Sequence, residues 1–213
     1  AAFIGGMAAV GIAYLVATGA GTHPTVIILA GVAVSAFAVA LQSYLQIRDL
    51  KKLEGVYVWL LGNLGRAGWK DIGIVACVVI PCWLAILLAG KALDVLTLGE
   101  FETQSLGINV NVARVALIAV ATLATSAVVS ISGLIGFVGI VVPHMLRLIV
   151  GPGHNFLLPL TLVVGAGFLL AADTIARSVL APQELPVGVV TAFIGAPFFL
   201  FLLVKAARGG GVR

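Results

Sequence analysis

Seven stretches of the chain are almost continuously apolar: residues 1–17, 25–47, 72–90, 112–132, 134–150, 156–179 and 187–205. Crossing a hydrocarbon core of ~30 Å takes about 20 such residues in a helix. Barrel strands would show alternation over about ten residues, and these runs do not alternate. A helix also satisfies its own backbone polar groups where no water can reach them. The pattern predicts an all-α fold, a polytopic transmembrane helical bundle with seven spans forming one domain over 1–213. The boundary between the fourth run and the fifth is only Ser132-Gly133, which predicts a tight hairpin between those two helices.

Four polar connections interrupt the runs. Residues 48–71 are the most polar, and the short apolar piece Val56–Leu61 within them, with Trp59 and Trp69 nearby, predicts a helix lying at the membrane interface. Residues 91–111 form the second connection. Its Leu98–Gly107 portion reads either as a solvated loop or as a short helix ended by a glycine. Gly151–Asn155 is the third, and Ala181–Pro186, bounded by prolines, is the fourth. The opening Ala1–Gly6 has no basic n-region and reads as helix interior rather than as a signal peptide.

Composition agrees with lipid as the solvent. Of 213 residues, 62% are hydrophobic and 9% are charged, against about 25% charged in soluble domains, and mean hydropathy is +1.22. Of the 26 glycines, 12 lie inside the apolar runs, where small residues let helices approach closely. The net charge of +4 is spread along the chain, with no basic run of the kind that binds nucleic acid. Cys77 and Cys82, around Pro81, read as packing residues.

Basic residues do not set the orientation. With the C-terminus inside, Lys91, Arg114, Arg147, Lys205, Arg208 and Arg213 lie inside, against Arg48, Lys51, Lys52, Arg66, Lys70 and Arg177 outside, six against six.

Candidate chemistry is sparse. Gly90-Lys91 has Ala85 and Ala92 where a phosphate-binding loop needs Gly and Ser/Thr, so that device for hydrolysing ATP is missing. No HExxH and no paired carboxylates occur within a run. Asp173 and Arg177 stand at i,i+4, acid before base. The pair reads either as a local ion pair with Arg177 reaching the interface or as a charge shown to a partner. His144 and Arg147 share a helix face just after Pro143, which removes one helical hydrogen bond from Gly139 and favours a kink. Arg147 also complements a helix C-terminus. A lone histidine such as His23, His144 or His154 is weak evidence of a haem ligand, and a membrane-embedded enzyme or a passive channel remains the alternative on residues alone.

Taken together, several stretches resemble the FecCD-type permeases, the membrane subunits of ABC importers for ferric siderophores, haem and cobalamin. The resemblance rests on Gly133–Arg147, Leu158-Pro159, Ala172–Arg177, Glu184–Thr191, Gly195–Phe199 and Trp59–Leu64, in that family's order over most of the chain. It marks Pro143, His144, Arg147 and Asp173 as motif positions. It implies a ten-span permease in a bacterial cytoplasmic membrane, with the present runs as spans four to ten and the first three outside this sequence. It implies a second permease copy, two cytoplasmic ATPase subunits carrying ATP and Mg, and a periplasmic or lipoprotein substrate-binding protein. No cofactor is expected on this chain, no nucleic acid is an expected partner, and lipid surrounds the chain.

The resemblance further implies that 91–111 is a cytoplasmic coupling segment, with Leu98, Gly99, Glu100, Ser105, Leu106 and Gly107 at the ATPase contact. Thr103 and Gln104 depart from the family's usual Ala and Arg there. Arg177 would pair with an acidic group of the binding protein. Residues 18–25, with Thr22 and Thr25, would form a gate loop. Gly188, Thr191 and Gly195 would belong to a loose pathway wall. Haem, siderophore and cobalamin permeases share all these motifs, and no residue here separates them.

Overall fold

The computed structural model describes residues 2–20, 24–48, 53–65, 67–97 and 109–209. These residues form α1 (Ala2–Ala20), α2 (Pro24–Arg48), α3 (Leu53–Leu60), α4 (Trp69–Leu88), α5 (Gly90–Leu96), α6 (Val110–Ser132), α7 (Val138–Val150), α8 (His154–Val179) and α9 (Val187–Gly209). Among the described residues there is no strand. Five helices, α2, α4, α6, α8 and α9, are long and apolar enough to cross a membrane. The 25 residues of α2 make a rod of ~37 Å.

Two groups of helices share the bundle. In the first, α1 packs on α2 and α6, and α6 packs on α4. In the second, α8 carries α7 and α9, which also touch each other, while α5 braces α8 and α4. The core of this second group is small and apolar. Ala172 and Ala176 of α8 meet Val187 and Val190 of α9, with Leu64, Ile135 and Leu185 around them. Val142, Leu146 and Leu157 join α7 to α8. Alanines one turn apart on α8 allow the close backbone approach that drives association in lipid.

Chain direction assigns two opposite faces. One holds the end of α6, the turn after α3 and the junction of α8 with α9, because Asn63 N donates to Ser132 O (2.8 Å) and Leu185 N to Ala176 O (3.1 Å). The other holds α5, the start of α8 and the end of α7.

The fifth apolar run differs from the expectation. It does not form a tight hairpin with the fourth: α6 packs on α4 and α1, whereas α7 packs on α8 and α9. Nor is it helical throughout. Gly133 (φ 70°) and Phe137 (φ 67°) are both left-handed, and residues 133–137 run without helix. Side chains added to Gly188 and Gly195 would strike Leu134 O and the Phe137 ring respectively. Three residues of extended chain thus cover the depth of seven residues of α9, about 10 Å. Adding the ~20 Å of 13-residue α7 brings the segment close to a bilayer core. Within this stretch Gly133 is buried and Ile135 and Phe137 are half-buried, while Leu134 and Gly136 are exposed. Gly133 is required there, since any side chain would run into Trp59 O.

Two smaller expectations compare as follows. Most of the piece at 56–61 falls in the short helix α3, which has no buried residue. Cys82 is buried, but Cys77 sits on the exposed side of α4, so only one of the two cysteines packs inside the chain.

Exposure is what lipid requires. The chain presents 14115 Å² of surface, against about 9,300 Å² for a soluble monomer of its mass. Leu88, Phe156 and Phe193 are among the exposed apolar side chains.

Candidate functional site

The polar side chains gather at the two ends of α8. At its start, Asp94 Oδ1 of α5 accepts from His154 N (2.9 Å) and faces His154 Nδ1 at 2.6 Å. His154 Nε2 lies 3.4 Å from a terminal guanidinium nitrogen of Arg147. Arginine only donates, so Nε2 is the acceptor and Nδ1 carries the proton toward Asp94. Gly153, the residue before α8, offers no side chain to the helix start. Asp94 fills that role from another helix, satisfying a free N–H and placing negative charge at the positive end of the helix dipole. Those two hydrogen bonds from His154, backbone first and ring second, hold the Asp94 carboxyl below its ordinary range. The packing is close: a side chain on Gly90 would meet Asn155 Oδ1 at 2.8 Å.

At the far end of α8, Arg177 Nε donates to Asp173 Oδ2 at 2.8 Å. Arg177 is exposed, and its guanidinium lies beside the turn at Gly65. Asn63 Oδ1 holds that turn by accepting from Gly65 N (2.7 Å). The local ion pair therefore exists, and it fixes the guanidinium by Nε while leaving its terminal nitrogens at the surface.

Between the ends, α9 carries the three proposed pathway positions. Thr191 is fully buried, and its hydroxyl donates to Gly188 O (3.1 Å). Gly195 faces Phe137. In this structure both are buried, Gly195 against Phe137 of the 133–137 segment. Gly188 has two sides. It backs onto Leu61 O and Leu134 O, yet also borders an apolar groove of about 530 Å³ with Leu60, Val189, Ala192, Phe193, Ala196 and Pro197. Ala192 and Ala196 are thus the small residues on the open side.

The remaining predicted residues are distributed more simply. Pro143 stands inside α7, and His144 packs edge-on against Phe198, ring centres 6.2 Å apart. Thr25 is exposed at the start of α2. Thr22 lies outside the described residues, as do Leu98, Gly99, Glu100, Ser105, Leu106 and Gly107. Among the described residues, no three His, Cys, Asp or Glu side chains converge to hold a metal ion. The Asp94–His154 junction escaped sequence reasoning. Its one signal was an acid among the apolar residues of Ala92–Leu96, where a charge needs a partner.

Comparison with known proteins gives this geometry its relatives. Over 204 residues the chain is 42% identical to the cobalamin import system permease protein of Halobacterium salinarum, covering 95% of this chain and 55% of that protein. Over 207 residues it is 37% identical to the hemin transport system permease protein of Yersinia pestis, covering 96% and 61% respectively. The chain thus spans somewhat more than half the length of these relatives. A solved structure of a metal-chelate type ABC transporter in an inward-facing conformation superposes with a TM-score of 0.85 at 31% identity, over 96% of this chain and 72% of that one. Residues 1–205 match the FecCD transport family, and this multi-pass membrane chain belongs to it.

Proposed function

We propose that the chain forms the transmembrane permease portion of an ATP-binding-cassette importer that moves a metal chelate by alternating access. The observation that carries this reading is the use of α8 as a strut between the two faces. Its start is clamped by Asp94 to α5, the helix that leads into 98–108, and its end presents Arg177. A 26-residue helix of ~39 Å reaches across the bilayer, so movement at one end is felt at the other. ATPase subunits engage the α5 side through 98–108, and a substrate-binding protein docks on the Arg177 side. ATP is bound and hydrolysed by the partner subunits.

The full assembly in this reading contains two permease copies, two ATPase subunits and a binding protein that is periplasmic or lipid-anchored. Relatives come from an archaeon and a bacterium, and the proposed location is the cytoplasmic membrane of a prokaryote. The cargo class is a metal chelate of the kind those relatives' names describe, cobalamin or hemin among them. The apolar groove beside Gly188, with Ala192 and Ala196, offers a wall without strong polar grips, suited to releasing a bulky ligand.

The test is uptake into proteoliposomes holding the complete complex. ATP-dependent accumulation of a labelled chelate, abolished in complexes with a hydrolysis-deficient ATPase subunit, supports the reading. Uptake that persists without ATP hydrolysis points to a passive channel and overturns it.

A further inference from the structure

Three side chains on the Asp94 face make a run of contacts across three helices. Asp94 Oδ1 on α5 faces His154 Nδ1 at 2.6 Å, and His154 Nε2 lies 3.4 Å from the guanidinium of Arg147 in the last turn of α7. His154 itself opens α8 and is buried. Its backbone N–H already reaches Asp94 at 2.9 Å, so the helix start has an acceptor without the ring. The bond from the ring is more than capping requires.

The chemistry of the ring gives that bond a use. In a neutral imidazole, the partner of one nitrogen decides where the proton sits. Asp94 holds it on Nδ1, which leaves Nε2 a lone pair for Arg147. Were Asp94 drawn away with α5, the proton could sit on Nε2, and two donors would then face each other. The ring thus has one arrangement that holds Arg147 and one that releases it, and the position of α5 selects between them. Contacts continue beyond Arg147. One turn earlier on α7, His144 packs edge-on against Phe198 of α9. Phe198 is two residues from Ala196, which borders the groove beside Gly188.

We infer that His154 is a positioning residue that passes a displacement of α5 to Arg147 on α7, and so to α9. The inference rests on the import reading, in which α5 leads into the ATPase contact and α9 carries the pathway wall. It adds which side chains join the two. Coupling between separated sites needs an element with two discrete states, and the two tautomers of the His154 ring are such an element.

The experiment uses the complete complex in liposomes, with hydrolysis-deficient ATPase subunits, Cys77 and Cys82 replaced by Ser, and Ala196→Cys as reporter. The rate at which a maleimide labels Ala196→Cys is read with and without ATP. ATP changes that rate about fivefold, the lower end of coupling between distant sites. His154→Asn, whose shorter amide reaches Asp94 but not Arg147, abolishes the response, as does Arg147→Met. Arg147→Lys, which keeps a donor for Nε2, retains it. ATP binding and melting temperature stay those of the reporter protein in all three variants. A response that survives His154→Asn or Arg147→Met overturns the inference. A response lost in Arg147→Lys, or lost in step with the melting temperature, also overturns it, because the contact would then serve stability alone. Should the reporter protein itself fail to respond to ATP, alternating access is contradicted, and the import reading falls together with this inference.

Discussion

Asp94 and His154 are sixty residues apart in sequence, yet their side chains meet at 2.6 Å and close the junction of α5 with α8. The contact joins two helices that otherwise touch through small residues such as Gly90, and it supplies α8 with the N-terminal acceptor that Gly153 cannot.

This junction has a pH signature. Asp94 titrates below its ordinary value of 3.8 in the folded protein, so it binds fewer protons folded than unfolded near that pH. Its stabilising contribution is therefore complete above about pH 3.8 and is lost as pH falls through the lowered folded value. Asp94→Asn should weaken the protein at neutral pH and flatten its stability profile below pH 3.8. Thermal unfolding in detergent from pH 6 to pH 3 checks this, and an unchanged acid limb contradicts it.

Packing of the 133–137 segment makes a graded prediction. Gly133→Ala combines a left-handed backbone with a collision at Trp59 O, and should cost about 2–4 kcal/mol. Gly188→Ala meets Leu61 O and Leu134 O on an ordinary helical backbone, and should cost about 1–3 kcal/mol. Gly167→Ala points into open space in α8, and should be neutral or stabilise by roughly 0.5–1 kcal/mol. Melting temperatures of the three variants should rank in that order.

Arg177 and Asp173 should separate charge from positioning. If Arg177 contacts the binding protein, Arg177→Gln weakens docking by about tenfold, the scale of one charge-assisted hydrogen bond. The loss should shrink as salt is raised. Asp173→Asn keeps the charge but loosens its anchor at Nε, so its effect should be smaller. Surface plasmon resonance against the purified binding protein, at two salt concentrations, measures both.

His144 acts on α9 through Phe198. A double-mutant cycle over His144→Ala and Phe198→Ala should give a coupling of about 0.5–1.5 kcal/mol, typical of an edge-on ring pair. Additive effects would remove the contact from the account.

Much of this architecture was legible in the sequence because lipid imposes simple rules. Runs near 20 apolar residues became α2, α4, α6, α8 and α9, and the ion pair between Asp173 and Arg177 was one of the two readings their spacing offered. What periodicity could not show was tertiary. Residues 134–137 are as apolar as a helix, and only the pressure of Gly188 and Gly195 against Leu134 and Phe137 reveals why the chain stays extended there. Thr191 looks like a small wall residue in sequence. Its hydroxyl, satisfied by Gly188 O within α9, is what lets it be buried. Asp94 and His154 find each other only through the fold.

The central claim is that the two ends of α8 lie on opposite sides of the membrane, with the Asp94 junction facing the cytoplasm. In a protein with Cys77 and Cys82 replaced by Ser, Lys91→Cys and Glu184→Cys can each be exposed to a membrane-impermeant maleimide on intact cells. The account predicts labelling of Glu184→Cys in intact cells, and of Lys91→Cys only after the membrane is opened. Labelling of both from outside, or the reverse pattern, would contradict it.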